Sequence, residues 1–192
     1  MSKLIVLEVV LDKTDPKIWR KLVVSSDTTF HKLHHIIQLT MGWKNAHLYE
    51  FLVEDFTVGE IYPVLPKNPK ISSREITLND IQLKVGEQIH YVYDIGDNWK
   101  HTLTILDIDY LKPLKQIPYC ITGKLNCPPE DCGGIKGFYE FVSIITNYSH
   151  KDFRDNFEWY GGFYNPEKYS TTAINKKLLE IDSYIEKIER EE

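Results

Sequence analysis

The sequence predicts an α+β fold, with strand-forming segments paired through the first half and helical segments gathered toward the C-terminus. Three observations carry this. Two β-rich runs, 4–11 and 18–25, flank the turn formers of "DKTDPK". Two longer runs, "EQIHYVYDI" and "NWKHTLTILDIDYL", meet around Gly96-Asp97. After Gly133-Gly134 the apolar residues change to helical spacing.

At 192 residues the chain has the length of one well-cored domain, so a single domain over 1–192 is expected. Charged residues at 27% and hydrophobic residues at 42% speak against both disorder and a membrane protein. A net charge of −5 gives no general pull toward nucleic acid. Glu8 interrupts the N-terminal apolar run, which reads as a strand rather than an export signal. Three cysteines are an odd count, so reduced thiols in a cytoplasmic protein are expected rather than a disulfide framework.

In chain order, 4–11 and 18–25 form a hairpin. Phe30, Leu33, Ile36, Ile37 and Met41 recur at helical spacing between Thr28 or Thr29 as cap and Gly42 as the left-handed terminus. Residues 47–53 read as a strand, 63–75 as an exposed proline-bearing loop, and "TLNDI" as one helical turn. The ribbon across 87–111 belongs at the centre of the sheet. Helices follow at 137–148, over "HKDFRDNFEWY", and from Ser170 onward. In the last, Ile174, Leu178, Ile181, Ile185 and Ile188 make a heptad-like seam. Its short length favours docking on the chain's own sheet, hence a monomer or weak dimer.

The chemistry-bearing residues form two constellations. In "CPPEDCGG", Pro128 and Pro129 stiffen the approach to a helix, Glu130 and Asp131 stand where exposed N–H groups favour carboxylates, and Gly133 and Gly134 free the backbone. Three readings are open. The loop is a rigid strand-to-helix corner that holds a ligand or caps the helix. With Cys120, it gives Cys127 and Cys132 as zinc ligands, completed by His101, His150 or a carboxylate. Or Cys132, beside a helix N-terminus, is a thiolate nucleophile. The second constellation, "YDIGDNWKH", offers Asp94, Asp97 and His101 as cation ligands or as acid and base in hydrolysis; Asp and Gly are equally ordinary turn residues. Trp43, His47, Trp159 and Tyr160 add aromatic surface, which reads as core more readily than as a stacking platform because acids surround it.

The motifs "IWRKLVV", "TFHKLHHIIQLTMGWKNAHLYEF", "YVYDIGDNWKHTLTI", "CPPEDCGGIKGFYEF" and "GGFYNPE" together resemble the plasmid pRi ORF-three-like family, whose transposon-borne members carry a resolvase-like label. The resemblance runs over roughly residues 4–180. It implies a roll-like α+β domain with a mainly antiparallel sheet and packed helices, and no established activity. Recombinase chemistry finds no serine with an arginine cluster here. Where the family reads Gly-Gly-Asp-Phe-Asp-Pro-Glu, this chain has Tyr164 and Asn165, which argues against a metal role for that segment. Two functions follow as expectations: a cytoplasmic binding or interaction domain linked to mobile-element or nucleic-acid biology, or a metal-dependent hydrolase built on Asp94, Asp97 and His101 beside the Pro-Pro-Glu-Asp loop.

Overall fold

The structure, a computed structural model, describes residues 2–61 and 71–191. Its order is β1 (Leu4–Leu11), β2 (Ile18–Ser25), α1 (Phe30–Met41), β3 (Tyr49–Val53), β4 (Phe56–Gly59), β5 (Ile71–Ser72), β6 (Gln88–Tyr93), β7 (Trp99–Asp107), β8 (Tyr119–Lys124), α2 (Gly134–Ile145), α3 (Phe153–Tyr160), α4 (Thr171–Leu178) and α5 (Ile181–Glu191). The strands form one eight-stranded sheet in the order β5-β4-β3-β6-β7-β1-β2-β8. Every neighbouring pair is antiparallel except β4 with β5. The α+β class is therefore as expected, and β6 and β7 lie at the centre.

Strand parity builds the core. Paired residues share a face, and the register aligns Phe51, Tyr91, His101, Leu11 and Ile18 across five strands. All five are buried. Residues of the opposite parity, such as Glu8, Lys21, Thr104 and Gln88, line the other, wetter face. Helix α1 starts at Thr29, whose side chain accepts from Lys32 N–H, and ends at Gly42 with φ 97°. All but one of its residues are buried. An amphipathic helix normally keeps a wet face, so its three histidines are buried polar groups that require an account.

Three expectations are revised. The residues "TLNDI" form turns rather than a helical turn, joined to the start of α1 by a bridge between Thr29 and Thr77. The C-terminal helix is two helices, α4 and α5, separated at Leu179-Glu180. Its seam still docks inward, with Ile174, Leu178 and Ile181 buried. The loop expected over 63–75 lies outside the described residues up to position 70, and Ile71–Ser72 is a short strand. Among the described residues no helix is long and apolar enough to cross a membrane.

Candidate functional site

Asp94 follows β6 with φ 54° and turns its Oδ1 onto the N–H groups of Gly96 at 2.9 Å and Asp97 at 3.2 Å. This is the turn-forming use of an aspartate. Its own N–H donates to the Leu48 carbonyl at 2.9 Å, which ties the ribbon tip to the segment entering β3. The second carboxylate oxygen of Asp94 is left 3.5 Å from His47 Nε2.

The loop 127–134 is seated on that same end of the ribbon by four polar contacts. Trp43 Nε1 donates to the Pro128 carbonyl at 3.0 Å. Glu130 accepts from Lys44 N–H at 3.1 Å and from the Tyr93 hydroxyl. Gly133 N–H donates to Asp97 Oδ2 at 3.1 Å. At Gly134, φ is 67° and a Cβ would stand 2.5 Å from the Asp97 carbonyl, so glycine alone permits the approach. Asp131, at φ 59°, then brings Oδ1 to 3.0 Å from His47 Nε2.

His47, Asp94 and Asp131 thus each present one ligand atom within 4.8 Å of the others. Among the described residues this is the one group of three such side chains. One imidazole with two carboxylates suits a hard or borderline divalent cation. Asp131 also lines an open groove of about 590 Å³, walled by Trp43, Pro128, Pro129, Trp159 and Tyr160. Tyr93, whose burial and Glu130 neighbour push its phenol well up, stays a neutral hydroxyl and can donate to that carboxylate.

The structure separates other residues that the sequence grouped. His101 does not join Asp94 and Asp97. It shares strand parity with Trp99, Leu103 and Ile105, is fully buried, and donates from Nδ1 to the Trp99 carbonyl at 3.1 Å. Burial holds its imidazole down at about 3. The imidazole at the corner is His47. Cys120, Cys127 and Cys132 do not meet as a three-ligand set among the described residues. Cys120 lies against the Tyr169 hydroxyl at 3.4 Å, while burial pushes the Cys127 thiol far up. The thiolate expectation for Cys132 is corrected: burial, with Asp97 nearby, pushes it up to about 12. Its place ahead of α2 does not compensate. Tyr164 and Asn165 have structural roles at the loop's entrance, where the Tyr164 hydroxyl donates to the Cys127 carbonyl at 3.0 Å and Asn126 donates to the Asn165 carbonyl at 3.1 Å.

An open, mainly antiparallel α+β sheet with an acid-lined corner at the end of its central ribbon is the class of protein defined so far. Residues 3–173 match the family model described as plasmid pRiA4b ORF-3-like protein, and the chain belongs to that family. A relative from Sinorhizobium fredii (strain NBRC 101917 / NGR234), the uncharacterized protein y4hQ, is 30% identical over 179 residues, covering 93% of this chain and 90% of its own. The crystal structure of a protein of unknown function, MM3350 from Methanosarcina mazei Go1, superposes with a TM-score of 0.78 at 28% identity, covering 90% of this chain and 97% of the other.

Proposed function

We propose that the chain is a binding domain whose ligand is held at the corner through a divalent cation carried by His47, Asp94 and Asp131. The observation that carries this reading is the convergence of those three ligand atoms from segments far apart in sequence, two of them on residues with positive φ. Left-handed backbone at a non-glycine residue costs energy, and such positions gather where a site needs them. Asp97 and Glu130 serve as positioning residues, since each spends its carboxylate on seating the loop. A reducing, cytoplasmic setting fits the three free thiols.

The test is calorimetric titration of the chelator-stripped chain with Mn²⁺, compared with Asp94→Asn and Asp131→Asn. Affinity falling at least tenfold in each variant supports the site. Equal affinity in all three overturns it, because a proton shared by His47 and the two carboxylates would then account for the geometry.

The groove favours a second reading, a metal-dependent hydrolase. An ion at Asp131 with an open coordination position would activate a water beside the walls of Trp43 and Trp159. Turnover of activated esters that needs Mn²⁺ and disappears in Asp94→Asn would establish it. The link to nucleic acid is narrower still. Carboxylates at the corner repel phosphate, so binding of DNA should require the cation and fall with added salt.

A further inference from the structure

A second polar site, which His47 also borders, lies under the C-terminal helix. His31, His35, Tyr49, Glu60, Arg74 and Glu189 are among the groups lining a cavity of about 300 Å³. Burying imidazole nitrogens without partners is costly, and His31 Nε2 and both ring nitrogens of His35 are such atoms here. His35 is 2% exposed, and among the described residues neither ring nitrogen has a hydrogen-bond partner. His31 Nδ1 lies 2.8 Å from Glu60 Oε1 and 3.3 Å from the Tyr49 hydroxyl, and in the tautomer that donates from Nδ1 to Glu60 the lone pair of Nε2 faces the cavity. That Nε2 is 3.4 Å from Glu189 Oε1 without hydrogen-bond geometry.

We propose that this cavity is a separate site for a zinc-class divalent cation, held by His31 Nε2, Glu189 and His35, with Glu60 orienting His31. With the proton of His31 on Nδ1, Nε2 and Glu189 Oε1 are two acceptor atoms side by side, a pair that a cation between them would satisfy; Arg74 holds the same carboxylate oxygen from its other side. Their spacing matches the edge of a tetrahedron with bonds of about 2.1 Å. A carboxylate on the far nitrogen of a ligating histidine is the usual outer-shell support. Histidines four residues apart on one helix face present their rings to the same point. The His31 and His35 rings lie 4.6 Å apart, edge to face.

His35 does not share a 4.8 Å neighbourhood with both other ligand atoms as it stands. Turning its ring inward breaks no hydrogen bond to a described residue. Arg74 bonds both Glu60 and Glu189, and two carboxylates against one guanidinium leave negative charge to meet an ion. Because Glu189 belongs to α5 and both histidines to α1, a bound ion would clasp the C-terminal helix to the body.

The test uses the full chain stripped of metal, titrated with Zn²⁺ by calorimetry and with Co²⁺ for its visible absorption. The double variant Asp94→Asn/Asp131→Asn removes the corner cluster and should keep one Zn²⁺ equivalent. His35→Ala and Glu189→Gln, placed on that background, should each lower its affinity at least tenfold and abolish the Co²⁺ band. Glu60→Gln should weaken it about 10- to 100-fold while the band persists. Glu189→Gln sits in the exposed last turns of α5, so it stays informative if His35→Ala fails to fold. Loss of all binding in the corner double variant overturns the proposal, as does unchanged affinity in Glu189→Gln. No Zn²⁺ binding by the wild-type chain also overturns it, and assigns the gap between His31 and Glu189 to a proton.

Discussion

Arg20 and the histidines beneath α5 bury basic nitrogen in opposite ways. Arg20, on β2, is 2% exposed, yet every nitrogen of its guanidinium is spent. Nε donates to the Thr40 carbonyl at 2.9 Å, Nη1 to those of Trp19 at 2.8 Å and Lys124 at 2.9 Å, and Nη2 to that of Leu125 at 2.9 Å. Its planar head also lies 4.9 Å from the centre of the Tyr169 ring. The carbonyl of Thr40, in the last turn of α1, has no partner within its helix, so Arg20 ties that end to the β2–β8 edge. In the cavity beneath α5, by contrast, His35 has no hydrogen-bonded partner among the described residues. The difference separates a staple from a site. A saturated buried group specifies the fold, whereas an open one keeps room for something that arrives later.

Replacing the staple should cost most. Arg20→Met keeps the length and the apolar stem but orphans carbonyls at four positions, and we expect a loss of about 3–5 kcal/mol, read as a lower denaturant midpoint with unchanged slope. A loss below about 1 kcal/mol would erase the contrast, since those carbonyls would then be served by water.

Acid should act next, and on the histidine side. His101 is held at about 3 and His35 at about 4, both chiefly by burial, and burial holds His34 well down too. Above about pH 6.5 these rings are neutral whether the chain is folded or not. Between about 6.5 and the folded values only the unfolded chain takes up protons, so stability falls as pH falls through that window. Going from pH 7 to 5 should lower stability on the order of 2 kcal/mol for each such ring, measured by denaturant titration at each pH. Glu60 and Glu189 work in the same direction, since their ionic partners hold both carboxyls low and that stabilisation fades as they protonate. Zn²⁺ should raise stability if it occupies the cavity, and by more at pH 7 than at pH 5, because a ligand of the folded state alone adds stability and protons compete with it for the histidines.

At the corner, Gly134→Ala should cost about 1–3 kcal/mol, because alanine resists a φ of 67° and its Cβ collides with the Asp97 carbonyl. The same change should weaken Mn²⁺ binding, since Asp131 is placed by this loop. Full Mn²⁺ affinity in Gly134→Ala would detach the loop's seating from the ion.

Much of this was legible. The β1–β2 hairpin followed from two apolar runs around turn formers, α1 from its period with Thr29 and Gly42 at its ends, and the central ribbon from its alternation. Other parts were hidden for physical reasons. The strand β8 carries "YCITGK", with too little alternation to declare itself. The break between α4 and α5 keeps the apolar phase, because Leu178 and Ile181 are three apart and face inward with or without a continuous helix. His47 entered as one of a group of aromatics, and nothing local in "GWKNAHLYEF" marks it as a ligand. Only the pairing of Tyr49 with Tyr93 lays the approach to β3 beside Asp94. His101 was misjudged although its parity with Leu103 and Ile105 points it inward. His31 and His35 of "HKLHH", set among the apolar positions of a well-defined helix, are the sequence's sign of a polar cavity.

The smallest effect bears on whether the loop is held by its own stiffness or by the body. Trp43 Nε1 makes a buried bond to the Pro128 carbonyl, and its ring lies 5.0 Å from that of Tyr93. Trp43→Phe keeps most of the ring stacking and removes that donor, so the expected cost is about 1 kcal/mol in thermal or denaturant unfolding. If two prolines suffice to shape the loop, Mn²⁺ affinity will be unaffected, because their φ angles are fixed whatever Trp43 does. If the tryptophan sets the loop's height over the ribbon, affinity will fall with it, since a ligand set drawn from three segments tolerates little displacement. Four separate contacts from α1's end and the ribbon favour the second outcome, because stiffness fixes a shape but not its position on the sheet.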